Sequence, residues 1–258
     1  MTVDGLRPGL CSVTLRAETV DSVARLAGEC ELVGIEWGAD VHVPPGDAVA
    51  ARRAVAASDA ANVVVMSYGS YLFADGAGSP VEAAAVLDTA VALGAPNIRV
   101  WAPFGSEVAS GEFVAALAEF VALASAAALT VGLEFHGGTA SATVSGVLSL
   151  LDAVDGLFTY WQPPYWRGPT TPDADAAEVV ALASRLSHLH VYEWPSAAER
   201  RPLVDGAARW RAVVDAAAAA WSTFPGPRYA LLEFVRDDSV EQLRRDAATL
   251  CSWLAAGR

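Results

Sequence analysis

The chain has 258 residues and 26.8 kDa, of which 53% are hydrophobic and 18% charged. That composition excludes disorder over most of the length and supplies the core that α/β barrels build in one domain of about 250 residues. Seventeen Lys and Arg against 30 Asp and Glu give a net charge of −13, which repels phosphate backbones and anionic lipid heads and argues against nucleic-acid and membrane partners.

Cys11, Cys30 and Cys251 are too scattered for a disulfide framework or a paired structural zinc motif, and the expected setting is reducing and cytoplasmic. Residues 1–9 carry no apolar stretch of the kind a secretory leader needs. Residues 113–135 are nearly free of charge but contain Glu119 and many Ala, so they read as a buried helix followed by a buried strand, not as a membrane span.

Taken in chain order, an apolar run at 10–15 reads as a strand and is followed by helical periodicity at 21–27. Strand 32–37 leads to helix 47–57, strand 62–67 to helix 80–93, and strand 97–101 to helix 112–128. The second half repeats the pattern with strand 130–136 and helix 145–154, strand 157–162 and helix 173–185, strand 188–192 and helix 207–221, then strand 229–234 and helix 240–256. Successive strands begin roughly 30 residues apart, about the length of one βαβ unit. The strands are continuous apolar runs, so they are expected to be buried on both faces in a parallel sheet covered by helices. Eight such units close most simply into an α/β (β/α)8 TIM barrel, a single domain over residues 1–258. A doubly wound open sheet would need a Gly-rich phosphate loop after an early strand, and Trp37-Gly-Ala-Asp40 is not one.

A barrel places its active site at the C-terminal ends of its strands. There the sequence puts Glu36 and, further on, His42 after the second strand, Glu134 and His136 on the fifth, Gln162 on the sixth, His190 and Glu193 on the seventh, and Glu233 on the eighth. A Glu inside an apolar strand is a buried charge unless it is paired or bound to a metal. Glu134, Glu233 and an imidazole suit Mn²⁺ or Mg²⁺, with Co²⁺ or Zn²⁺ as alternatives. The plainer reading of each Glu is an ion pair with an arginine such as Arg99 or Arg236.

The set Gly34-Ile-Glu36, Gly132-Leu-Glu-Phe-His136, His188-Leu-His190 with Glu193, and Leu232-Glu233 resembles the xylose isomerase-like TIM barrel superfamily, the sugar phosphate isomerase/epimerase group. Its relatives include D-tagatose 3-epimerase, hydroxypyruvate isomerase and inosose dehydratase. The resemblance implies a divalent metal held by Glu from strand five, Asp from strand six, His from strand seven and Glu from strand eight. It carries over to Glu134, His190 and Glu233. Strand six departs from the pattern, because Tyr160-Trp-Gln-Pro-Pro-Tyr165 offers Gln162 where the carboxylate belongs. An amide oxygen brings no negative charge, so the metal is expected to be held more weakly or lost.

The implied activity is isomerisation or epimerisation of a ketose or keto-polyol through an enediolate, with Glu134 and Glu233 as the two proton-transfer groups. The substrate contacts expected around them are Glu36, His42, Tyr68, Trp101, His136, Trp161 and Glu193. Tyr71, Tyr165, Trp166, Trp37 and Trp194 are further candidates for an aromatic mouth that stacks on sugar C–H faces. His188 reads as structural, and Trp210, Trp221 and Trp253 as core packing. An alternative is a lyase or dehydratase acting on an oxidised sugar or glycoside with the same Glu pair. Another is a sugar-binding barrel without catalysis, for which Glu134→Gln leaves ligand affinity unchanged. A repair nuclease of the same fold would need a His-rich metal cluster and a basic face, against which stand four histidines and the acidic charge. A homodimer is the family's expected assembly.

Overall fold

Polar residues placed just ahead of the apolar helical stretches start six of the helices. Thr19, Asp47, Ser79, Ser110, Thr143 and Thr171 each accept a backbone N–H from the first turn of α1 (Val20–Glu29), α2 (Ala48–Ala60), α3 (Pro80–Leu93), α4 (Gly111–Ala126), α5 (Val144–Ala153) and α6 (Pro172–Leu182). Each such cap satisfies a donor that the helix cannot and contributes ~1 kcal/mol. Two further helices, α7 (Ala207–Ala219) and α8 (Val240–Ala256), complete the outer layer. The computed structural model describes residues 5–256, so the reading of the first nine residues as leader-free falls partly outside the described residues.

Between the helices run β1 (Arg7–Cys11), β2 (Gly34–Gly38), β3 (Val64–Gly69), β4 (Asn97–Val100), β5 (Thr130–Leu133), β6 (Leu157–Trp161), β7 (Leu186–Val191) and β10 (Tyr229–Leu232). They pair in parallel and close in the order β1-β10-β7-β6-β5-β4-β3-β2. The expected (β/α)8 barrel is therefore the observed one. Residues 113–135 resolve into α4 and β5, and among the described residues no helix is long and apolar enough to cross a membrane.

Three differences from the sequence reading bear on the site. The first strand lies earlier than expected: Arg7–Cys11 pairs with Gly34–Glu36 and Tyr229–Leu232, while Ser12–Leu15 forms a 3₁₀ turn. Pro8 and Gly9 carry little strand preference, so pairing from both neighbours overrides local propensity. Next, β5 and β10 end one residue before their glutamates. The ladder still holds these residues, since the Glu134 N–H donates to Val100 O at 2.9 Å and that of Glu233 to Val191 O at 3.0 Å. Lastly, β8 (Glu193–Ser196) and β9 (Glu199–Arg201) form an antiparallel hairpin beyond β7.

The main core lies between barrel and helices and includes Trp210 and Trp253. Trp221 does not join it; it lies beyond the end of α7 and is 74% exposed. Inside the barrel two tyrosines do the filling, and glycines make room for them. A Cβ on Gly34 would lie 2.6 Å from the Tyr229 ring, and one on Gly132 would lie 2.5 Å from the Tyr160 ring. The Asn97 amide donates to Tyr160 Oη at 2.8 Å and to Ser67 Oγ at 3.1 Å, which satisfies this buried polar layer.

Candidate active site

Above the tyrosine layer the barrel interior collects charge. His190 on β7 is fully buried at its centre. Its Nδ1 lies 3.2 Å from Glu233 Oε2, 3.4 Å from Gln162 Oε1 and 3.9 Å from Glu134 Oε1. Its Nε2 faces the other way, 3.8 Å from Glu36 Oε1. The four residues expected to hold a metal are thus brought together, with Glu36 on the opposite flank of the imidazole.

Arg99 on β4 ties the flanks together. Its Nε donates to Glu36 Oε1 at 2.9 Å and its Nη1 to Glu134 Oε2, all three side chains being at most 3% exposed. The ion pair foreseen for Glu134 therefore exists, whereas Arg236 contacts Asp237 and Gln242 and not Glu233. Tyr160 donates to Glu36 Oε2 at 2.8 Å. Gln162 Nε2 donates to Phe135 O at 2.6 Å and approaches Glu134 Oε1 at 3.4 Å.

The titration directions follow from this arrangement. Burial works against the Glu36 anion, but the adjacent Arg99 guanidinium outweighs it and holds the carboxyl well below its usual range. Burial likewise opposes a charged His190, yet the adjacent Glu233 carboxylate holds the imidazole well above its ordinary value. Glu233 is lowered in return, the His190 contact outweighing burial. The Cys11 thiol, 3.9 Å from Glu36 Oε1, is pushed up by burial to about 12.

The donor set fits a divalent cation. Ligand atoms at bonds of ~2.1 Å sit about 3.0–3.4 Å apart in octahedral or tetrahedral geometry, and the His190, Glu233 and Gln162 atoms meet that spacing. The carboxylates of Glu36, Glu134 and Glu233 share the cavity with the single guanidinium of Arg99, so a bound cation adds positive charge where carboxylates outnumber it.

The remaining expected contacts divide into two groups. Trp101 and His136 stand at the mouth with ring centroids 4.5 Å apart, and Tyr71 stacks on Trp101 at 5.6 Å. Trp166 stacks on His136, Tyr165 Oη lies 3.3 Å from His136 Nε2, and Trp194 continues the arc from Tyr165 to Phe234. Trp101 Nε1 is buried with no hydrogen-bond partner.

His42, Tyr68, Trp161 and Glu193 are not brought to the site. His42 is buried between Ser12 Oγ at 3.0 Å and the Glu18 carbonyl at 3.2 Å, with its ring against Trp37. Tyr68 and Trp161 point outward into the helix layer, where Tyr68 donates to Val43 O and Trp161 to Glu178. Trp37 likewise bonds Ser58. Glu193, at the start of the hairpin, pairs with Arg209 of α7 at 3.1 Å. Side chains alternate along a strand, so Ser67 and Tyr160 face inward and their neighbours Tyr68 and Trp161 face out. The sequence reading passed over Cys11, Tyr160 and the bridging role of Arg99. The inward period Asn97, Arg99 on β4 was the signal for Arg99.

No protein-family model matches the sequence, and no curated protein matches it. Solved structures do. A probable 3-DHS dehydratase involved in petrobactin synthesis from Bacillus anthracis is 16% identical with a TM-score of 0.75, over 95% of this chain and 99% of that one. A xylose isomerase-like TIM barrel protein from Mycobacterium smegmatis, in complex with magnesium, is 12% identical with a TM-score of 0.74, over 100% and 99%. A D-allulose 3-epimerase from Methylomonas sp. is 16% identical with a TM-score of 0.68, over 97% and 98%. The chain therefore shares the (β/α)8 barrel fold of these proteins.

Proposed function

We propose that the protein is a divalent-cation-dependent isomerase or epimerase of a ketose or keto-polyol. The observation that carries this reading is the convergence of Glu134, Gln162, His190 and Glu233 within 4 Å of one imidazole nitrogen at the C-terminal end of the barrel. Glu134, Gln162, His190 and Glu233 would hold the cation, which when bound supplies Lewis acidity to a carbonyl and its neighbouring hydroxyl and so acidifies the α C–H.

The chain's own groups then move the proton. Glu134 and Glu233 reach the site from strands on either side of His190, so one removes the α-proton and the other returns a proton to the opposite face, which inverts the carbon. Return at the neighbouring carbon gives aldose–ketose exchange. Arg99 pairs with Glu134 and fixes it in place. Trp101, with a free indole N–H, and the ring of His136 line the entrance, where a polyol presents both hydroxyls and C–H faces. The epimerases and the magnesium complex among the structures of like fold support the same reading.

A second reading is favoured by the Tyr165–His136 pair. His136 Nδ1 lies 2.9 Å from the Gly137 carbonyl and donates to it, so its Nε2 accepts from the Tyr165 hydroxyl. In this reading the Tyr165–His136 pair would protonate a departing β-hydroxyl. The same Glu base with this donor makes a dehydratase, the activity given for the Bacillus anthracis protein.

Proton exchange tests both. Ketoses and keto-polyols incubated with the protein in D₂O are followed by NMR, beside elemental analysis of protein purified without chelator. The expected result is one divalent ion per chain and solvent deuterium at the α-carbon, with exchange reduced about 10²-fold or more in Glu233→Gln and metal lost in His190→Ala. Formation of an alkene with loss of water selects the dehydratase. A protein that takes up no metal after reconstitution refutes the cation-dependent reading.

A further inference from the structure

We propose that the cavity beside Glu233, walled by Arg16 and Arg200, holds a second sugar ring, so that the substrate is a ketose or keto-polyol carrying a neutral glycosyl unit. This rests on the ketose reading above and goes beyond it by naming the second part of the substrate and the residues that bind it.

The cavity has a volume of about 200 Å³ and is lined by the segment that follows β1, by the β8–β9 hairpin and by the loop that joins β10 to α8. Phe234, the residue after Glu233, forms part of its wall. Thr14 pins that wall to the barrel: its Oγ1 donates to the Leu232 carbonyl at 3.2 Å and accepts the Phe234 N–H at 3.1 Å. A ligand there is one residue away from the carboxylate that faces His190. The cavity also closes the aromatic arc of the mouth. At one end Arg200 lies over the rings of Trp194 and Phe234 at 4.7 and 5.1 Å, and at the other Arg16 Nη2 lies 3.5 Å from the Tyr71 hydroxyl.

Two residues of the wall hold a costly backbone. Phe234 and Asp238 have φ of 51° and 49°, a left-handed conformation that residues other than glycine enter at a cost and that clusters at ligand sites. The charges then decide the class of ligand. Arg16 and Arg200 share the lining with Glu18 and Asp238. Arg16 Nη2 meets Asp40 at 2.5 Å and Arg200 Nη1 meets Asp238 at 2.6 Å, so no net positive charge is left to hold a phosphate or a carboxylate. Each guanidinium carries five N–H donors, and those left over stand beside carboxylate acceptors. A neutral polyol matches this lining, since its hydroxyls both donate and accept and its C–H face packs on the Phe234 ring. Drug-sized ligands occupy ~300–1,000 Å³, so this smaller cavity takes one ring and not an extended chain.

The test titrates the full-length protein, in the presence of Mg²⁺ or Mn²⁺, with D-fructose, D-fructose 6-phosphate and the glucosyl-fructoses turanose, leucrose, maltulose and isomaltulose. Affinity is read from tryptophan fluorescence, and α-carbon exchange in D₂O by NMR. At least one glucosyl-fructose is expected to bind about tenfold or more tighter than fructose, the worth of one hydrogen bond to a charged group. That ratio is expected to fall toward one in Arg16→Ala and in Arg200→Ala. The wild-type ratio decides even where a variant does not fold. Glucosyl-fructoses that bind no tighter than fructose overturn the role of the cavity, and exchange in fructose then leaves the ketose reading standing. A glucosyl-fructose preference without exchange in any sugar upholds the role of the cavity and overturns the ketose reading. Tightest binding of fructose 6-phosphate overturns the neutral ligand in favour of an anion.

Discussion

Arg99 donates from Nε to Glu36 Oε1 at 2.9 Å inside the barrel, with each residue 2% exposed. The same guanidinium serves Glu134, so a single cation pairs with two buried carboxylates. Replacing Arg99 by Met leaves both without it. The expected loss is about 3–5 kcal/mol of stability in urea unfolding, because an uncompensated buried charge costs more than the pair contributes. Adding Glu36→Gln should recover part of that loss. Independent, additive effects of the two substitutions would refute the coupling.

Acid should weaken the fold through two imidazoles that are neutral in it. Burial lowers the pKa of His42, and that of His188 to about 3. His188 Nδ1 accepts the Tyr229 N–H at 3.1 Å, so the ring proton sits on Nε2 and a second proton would have to displace that hydrogen bond. The unfolded chain takes up that proton near pH 6.5, and the folded chain does not. The stabilisation from His188 is therefore complete above about pH 6.5 and is lost as pH falls toward 3, at ~1.4 kcal/mol per pH unit. His188→Asn keeps an oxygen for the Tyr229 N–H and removes the titration. Unfolding curves between pH 4 and 7 should show a shallower pH slope for it than for the wild type, and equal slopes would contradict the assignment.

The barrel was legible because buried parallel strands are continuous apolar runs, and Glu134, His190 and Glu233 were legible because charge inside such runs demands an explanation. That very continuity hid which face each residue takes. Tyr68 and Trp161 were placed at the mouth although alternation turns them outward, beside inward Ser67 and Gln162. Cys11 was missed since Pro8 and Gly9 masked the true first strand, whose inward end it occupies. The hairpin of β8 and β9 is short and half-exposed, with Arg200 over the Trp194 ring at 4.7 Å, and has no apolar period to reveal it.

Gly132 is a test of how tightly the interior is filled. An added Cβ meets the Tyr160 ring at 2.5 Å, and that ring is held through its hydroxyl to Ser67, Asn97 and Glu36. Gly132→Ala should cost ~1–3 kcal/mol, the range for overpacking, and lower the melting temperature by several degrees. A melting temperature equal to the wild type's would show that the ring yields freely.

Trp101 separates binding from folding. Its indole nitrogen is buried without a partner, while its ring packs on Tyr71, Phe104 and His136. Trp101→Phe keeps most of the ring and removes the donor. Stability should change by no more than about 1 kcal/mol, and kcat/KM for the preferred polyol should fall about tenfold, the worth of one hydrogen bond of 1–1.5 kcal/mol. An unchanged kcat/KM would mean that the indole N–H does not touch the substrate.

Gln162 shows how the site trades an amide for a charge. Its Nε2 donates to the Phe135 carbonyl at 2.6 Å and approaches Glu134 at 3.4 Å. Gln162→Glu keeps the length and puts an oxygen where that donor was, against a carbonyl and a carboxylate. In chelator the variant should be less stable than the wild type by about 1–3 kcal/mol, the cost of an unsatisfied buried acceptor. A divalent ion reverses the sign: the added carboxylate turns repulsion into coordination, and a ligand that binds only the folded state stabilises it by RT ln(1 + [L]/Kd). Melting curves in chelator and in Mg²⁺ should therefore lie further apart for Gln162→Glu than for the wild type. Equal separation would place the cation away from Gln162.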